Sequence, residues 1–144
     1  MTYQRIGGLL ILGAALLLAT HGMSGCPVGP FVPPVVASPI SEPGLRVLVI
    51  YDSSGLNSLT PGQLSAYASN KVPAFVNAQG GKFARYDVSA IATIKDAWAK
   101  EGAARPRKSN QWVIVSNAPK GGDEVPLPNS DAEFLALVQK WVAK

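Results

Sequence analysis

Asp52, Ser53 and Ser54 are the side chains of this sequence best placed for acid–base or nucleophilic chemistry, because they directly follow an apolar run at residues 46–51. A serine nucleophile needs a positioned proton acceptor, usually a histidine. The only histidine is His21, in an apolar N-terminal stretch, and no spacing favours a lysine as the base. The pattern favours a polar loop whose side chains bond loop amides. A hydrolase that uses these residues stays open as the alternative.

A basic segment provides the second candidate site. Arg105, Arg107 and Lys108 lie within four residues of one another, and such a group can bind phosphates or carboxylates. A solvated loop explains the same residues equally well. The sequence therefore predicts either an anionic ligand at this segment or no ligand there.

We expect no metal and no cofactor. With one histidine and one cysteine in the chain, the remaining metal ligands are oxygens. Asp123-Glu124 is too short for a calcium loop and lacks its alternating acidic spacing.

The N-terminus has the pattern of an export signal. A charge at Arg5 precedes an apolar stretch at residues 6–20, and small residues lead up to Cys26 through Met23-Ser24-Gly25. This pattern resembles the lipobox signal peptide of bacterial lipoproteins, with Met23 where that pattern prefers leucine. The resemblance implies that residues 1–25 are cleaved and that Cys26, the only cysteine, is lipidated. The protein would then be anchored to a membrane of the bacterial cell envelope and face away from the cytoplasm.

Two other interpretations of the N-terminus stay open. Residues 6–23 could form a marginal transmembrane anchor, although spanning takes about 20 apolar residues. A plain secretory peptide is the third possibility. All three place the rest of the chain outside the cytoplasm.

Proline dominates the segment after Cys26. Its six prolines remove backbone donors and favour extended backbone. The sequence therefore predicts a Pro-rich linker over residues 26–44, either a plain spacer or a docking site. At ~3.1 Å per residue in polyproline II geometry, it would hold the domain some 50 Å from the anchor.

Residues 45–144 are enough for one small domain with a core. The net charge is +4 for the whole chain, or +3 without Arg5. This mild basic excess, with no arginine-rich run and no RNA-binding aromatic motif, argues against a nucleic-acid partner.

Hydrophobic patterning predicts alternating strands and helices in this domain. Residues 46–51 and 112–115 indicate strands covered on both faces, and residues 82–89 indicate a strand with unequal faces. Thr60 and Gln63 predict a capping box that opens the first helix, divided by Pro73. A second helix is predicted to end near Gly102. After the strand at residues 112–115, a turn leads to an edge strand at residues 124–127. The buried stripe of the first helix is expected to comprise Leu64, Tyr67, Ala68, Val72, Phe75 and Val76.

The last helix is predicted to begin at Ser130. Phe134 and Trp141 are seven residues apart and share one helical face. Lys140 is expected on the opposite face.

The order strand, helix, strand, helix, strand, strand, helix resembles the thioredoxin-like fold. The resemblance implies an α/β three-layer sandwich with a mixed central sheet flanked by helices. The loop after the first strand has no Cys-x-x-Cys, and no proline directly precedes the third strand. The resemblance therefore implies no redox activity.

These observations favour a membrane-tethered, extracytoplasmic binding or scaffold lipoprotein. Its expected partners are the membrane, through Cys26, and an envelope protein or anionic ligand. The alternative is an envelope hydrolase that uses the loop at residues 52–54. The candidate binding residues are Asp52, Ser53, Ser54, Arg105, Arg107 and Lys108.

Overall fold

The computed structural model of the protein describes residues 37–143. The expected signal peptide, Cys26 and the first part of the linker lie outside the described residues. Within them, no helix is both long enough and apolar enough to cross a membrane.

A four-stranded mixed sheet forms the centre of the described part of the chain. Its strands are β1 (Gly44–Tyr51), β2 (Lys82–Asp87), β3 (Trp112–Ala118) and β4 (Gly121–Pro126), in the spatial order β2-β1-β3-β4. β1 is parallel to β2 and antiparallel to β3, and β3 and β4 are antiparallel. The expected α/β class is confirmed.

Within residues 37–143, four α-helices flank the sheet. They are α1 (Pro61–Ala68), α2 (Lys71–Ala78), α3 (Ala97–Ala103) and α4 (Asp131–Val142). Short 3-10 helices, Ser53–Ser58 and Val88–Thr93, follow β1 and β2 directly. The second predicted helix is thus a 3-10 turn and a separate α-helix.

Each face of the sheet is covered, which explains the continuous apolar runs in β1 and β3. Val47 and Val49 of β1 belong to the cluster that includes Phe134, Val138 and Trp141 of α4. Leu48 and Ile50 point to the other face and pack in a second cluster. That cluster also contains Ile40, Trp98, Ala99, Trp112 and Ile114.

The first predicted helix is divided, but its break and its buried face differ from expectation. The break falls at Ser69 and Asn70, so Pro73 lies in the first turn of α2, where a missing N–H is tolerated. Leu64 is 49% exposed, whereas Ala66 is buried. Gly62 explains this: a Cβ there would lie 2.1 Å from the Asn129 carbonyl oxygen, so the close-packed face carries Gly62 and Ala66.

The folded unit takes in residues that the sequence assigned to the linker. Ile40 is fully buried. Its N–H donates to Ser116 Oγ at 3.2 Å, and that hydroxyl donates to the Ile40 carbonyl at 2.9 Å. The Ser41 N–H and hydroxyl both donate to the Glu101 carboxylate at 3.0 Å. Proline-rich segments favour extended backbone, which does not prevent this segment from packing on the domain. Its apolar side chain Ile40 thereby joins the core.

The last helix begins at its predicted cap, because the Ser130 hydroxyl accepts from the Glu133 N–H. Phe134 and Trp141 are buried, as predicted. Lys140 is exposed, and its side chain reaches back to the edge strand. Its Nζ lies 2.7 Å from Asp123 Oδ2 and 5.0 Å from the centroid of the Trp141 ring.

Candidate functional site

Asp52 directly follows β1 and caps the 3-10 helix Ser53–Ser58. Its Oδ1 accepts hydrogen bonds from the Ser54 N–H at 2.9 Å and the Ser54 hydroxyl at 2.6 Å. Ser53 and Ser54 are exposed, and Asp52 is half-buried. The three residues thus form a polar turn at the carboxyl end of the strand.

The neighbouring strand ends in the same arrangement, which the sequence analysis did not single out. Asp87 pairs with Tyr51 in the parallel register. Asp87 Oδ1 accepts from the Ser89 N–H at 2.8 Å and the Ser89 hydroxyl at 2.5 Å, and Oδ2 accepts from the Ser53 N–H at 3.0 Å. These hydrogen bonds, those from Ser89 first, lower the pKa of Asp87 to about 2. The repeated Asp-x-Ser spacing at residues 52–54 and 87–89 is the signal that could have identified the second turn.

Two tyrosines and an arginine form a group of contacts between the sheet and α1. The Tyr51 and Tyr67 rings meet edge to face at 5.1 Å, and burial and a hydrogen bond with Tyr51 raise the pKa of Tyr67. The Arg85 guanidinium lies 5.6 Å from the Tyr67 ring centroid and 5.0 Å from that of Phe83. Arg85 Nη2 also donates to the Ser69 carbonyl at 2.6 Å. Arg85 therefore holds the end of α1 against the sheet.

Gln111 connects the Asp52 turn to the basic segment. Its Oε1 accepts from the Asp52 N–H at 3.2 Å, and its Nε2 donates to the Asp52 carbonyl at 3.1 Å. The residue is 8% exposed. Ser109 in turn donates its hydroxyl proton to the Gln111 carbonyl at 2.6 Å. Gln111 has no local signal in the sequence, because its partner lies 59 positions away.

The basic segment is tied to a carboxylate of β4. Arg105 Nε donates to Glu124 Oε1, and Lys108 Nζ lies 3.4 Å from Glu124 Oε2. The Glu124 side chain is 7% exposed. Arg107 is exposed and has no ion pair among residues 37–143. The three predicted cations thus differ in role, since within the described part of the chain two have an ion pair and Arg107 has none.

The two candidate groups form one polar surface, which we call the rim. It comprises the turn at residues 52–54, the Asp87 turn and the loop at residues 105–111. Gln111 joins the first and third of these, and the bond from Ser53 to Asp87 joins the first and second.

The geometry of the rim gives no support to the hydrolase alternative. The Ser54 hydroxyl is bonded within its own turn, and neither serine has a hydrogen bond to a lysine among the described residues. No pocket lies within residues 37–143, so the three side chains occupy an open surface. The same part of the chain holds no group of three or more metal-ligating side chains.

Comparison with known proteins provides no relative of this chain. The chain matches no family model, no curated protein and no solved structure.

Proposed function

We propose that this chain is a membrane-tethered, extracytoplasmic binding or scaffold lipoprotein whose domain is thioredoxin-like and redox-inactive. In this account Cys26 carries the lipid and the Pro-rich segment separates it from the domain. The rim contacts an envelope partner. The parallel β1-α-β2 unit, α3, the β3-β4 hairpin and α4 are compatible with the thioredoxin-like part of the proposal.

One observation carries the binding proposal: the chain enters the domain at the opposite end of the sheet from the rim. Gly44 begins β1 beside Ala118, and Tyr51 ends it beside Asp87. An eight-residue strand spans about 25 Å at ~3.3 Å per residue. Because Ile40 fixes the incoming segment at the entry end, the rim lies at the end of the sheet opposite the point where the chain enters the domain.

The shape and chemistry of the rim favour a macromolecular partner. Small-molecule sites are concave and mostly apolar, whereas the rim is open and rich in hydroxyl and amide groups. Protein interfaces gain their affinity from a broad contact area with a few anchoring residues. A partner protein fits this surface better than a small ligand does.

Photo-crosslinking in cells tests the proposal. A photoreactive amino acid at Asn57, which is exposed next to the Asp52 turn, should give a discrete adduct with an envelope protein. The same group at Ala136, exposed on α4, is the matched control and should give none. Adducts of equal yield from both positions, or none from residue 57, would contradict binding through the rim.

A further inference from the structure

The loop between α3 and β3 carries three cations, two of which pair with one largely buried carboxylate. Arg105 and Lys108 both pair with Glu124. Arg107 lies between them in sequence and is exposed, without an ion pair in the described part of the chain. The loop is thus fastened on both sides of Arg107. This restraint lowers the entropy that the loop would lose when its free guanidinium binds a ligand.

We propose that Arg107 binds a carboxylate on an acidic segment of the partner protein, with Arg105 and Lys108 as positioning residues. The inference rests on the proposed binding function and specifies the chemistry of the partner. A guanidinium presents its donors in a planar fork that matches a carboxylate, and such bonds are charge-assisted. Arg105 of the same loop already makes a charge-assisted bond, from its Nε to Glu124 of β4.

The surroundings of Arg107 favour a protein over a long polyanion. Arg105, Arg107 and Lys108 carry three positive charges against one negative charge on Glu124, which leaves a local excess of two. Polyanions are bound by grooves that bring several free cations to the backbone. In this loop, as far as the described residues show, only Arg107 has no ion pair, because its exposed neighbour Lys108 pairs with Glu124, and Pro106 and Asn110 are uncharged. This arrangement suits one carboxylate in a mixed polar interface.

The first test measures binding of a short fluorescent polyglutamate peptide to the full chain in neutral phosphatidylcholine vesicles. Arg107→Gln should weaken binding about tenfold, since one charge-assisted pair is worth at least that factor. Lys95→Gln removes the same charge from an exposed position outside the loop. This control should change affinity by less than about twofold. Equal losses from both variants would overturn the assignment of Arg107.

The second test separates positioning from net charge. Glu124→Gln makes the loop more positive but releases Arg105 and Lys108. If these residues position Arg107, the affinity for the peptide falls about threefold despite the added charge. Unchanged or tighter binding would overturn their positioning role. Arg107→Lys keeps the charge and loses the fork, so its affinity should lie between those of the unchanged chain and Arg107→Gln.

Competition identifies the class of anion. Pyrophosphate should displace the peptide less effectively than free polyglutamate does. Stronger displacement by pyrophosphate, lost in Arg107→Gln, would overturn the acidic-protein assignment in favour of a phosphate ligand. The crosslink from residue 57 keeps the two proposals distinguishable. An adduct of equal yield with and without Arg107→Gln overturns this inference alone, whereas no adduct at all overturns the proposed function.

Discussion

The indole N–H of Trp141 donates a hydrogen bond of 2.7 Å to Asp123 Oδ2, which ties the last turn of α4 to the edge strand β4. The same oxygen accepts from Lys140 Nζ at 2.7 Å. Asn117 Nδ2 donates to the Trp141 carbonyl at 2.8 Å and holds the helix end to β3 as well. The closing helix is therefore attached by polar contacts in addition to its apolar stripe.

Truncation of Trp141 should severely destabilise the domain. Trp141→Ala removes a side chain that is 2% exposed, together with its bond to Asp123. The expected loss is about 3 to 5 kcal/mol of unfolding free energy, measured by urea titration of the chain without residues 1–26. Lys140→Ala removes a half-exposed ion pair and should cost less than about 1 kcal/mol. Small and equal losses would mean that α4 is only loosely attached.

Ile40 should contribute to stability as a core residue. Ile40→Ala should cost about 2 to 5 kcal/mol, because the side chain is fully buried in the cluster with Trp98 and Trp112. Ser41→Ala removes the exposed hydrogen bond from the hydroxyl to Glu101 and keeps the one from the backbone N–H, so it is the matched control, with an expected loss below about 1 kcal/mol. Thermal unfolding of a chain that begins at residue 45 should show a lower midpoint than that of one beginning at residue 37. Equal midpoints would contradict the docking of residues 38–44.

Asp87 should make stability depend on pH in the acid range. Its pKa is about 2 in the folded domain and 3.8 in the reference state. The stabilisation from its carboxylate is therefore complete above about pH 4 and is lost as the pH falls through about 2. Asp87→Asn should lower the thermal unfolding midpoint at neutral pH. It should also make the fall of that midpoint between about pH 4 and about pH 2 less steep. An unchanged decline in thermal melts would assign the acid sensitivity to other carboxylates.

Gln111 should hold the rim together. Gln111→Ala leaves the Asp52 N–H and carbonyl without their side-chain partner. The expected cost is about 1 to 3 kcal/mol of unfolding free energy. Hydrogen exchange should also become faster at residues 52–55. Asn110→Ala, at an exposed neighbouring position, should leave both measurements unchanged. Protection that is equal in both variants would show that the turn does not need Gln111.

Features set by local chemistry were predictable from the sequence. The capping box at Thr60 and the N-cap hydrogen bond at Ser130 form because the required partner lies three residues away. The two-sided burial of β1 follows from its uninterrupted apolar run. Asp52 was identified as a turn residue for the same local reason.

Features set by distant partners were not predictable. The anchoring of Ile40 depends on Ser116, which is 76 positions away, and the role of Gln111 depends on Asp52. Glu124 divides the basic segment into paired and free cations, because the loop folds back over β4. The exposure of Leu64 follows from the close approach of Gly62 to Asn129. Such pairings arise from the path of the chain, and local patterning does not record them.

Intact-mass measurement of the chain purified from bacterial membranes tests the central claim of a lipid-tethered protein most directly. The account predicts the mass of residues 26–144 plus a diacylglyceryl thioether and an acyl group, with Cys26→Ser accumulating as the unprocessed chain. If the chain with its natural Cys26 has the mass of the complete, uncleaved sequence, the N-terminus is a transmembrane anchor. A processed chain without lipid would indicate a secretory peptide. Either of these two masses would contradict the lipoprotein assignment.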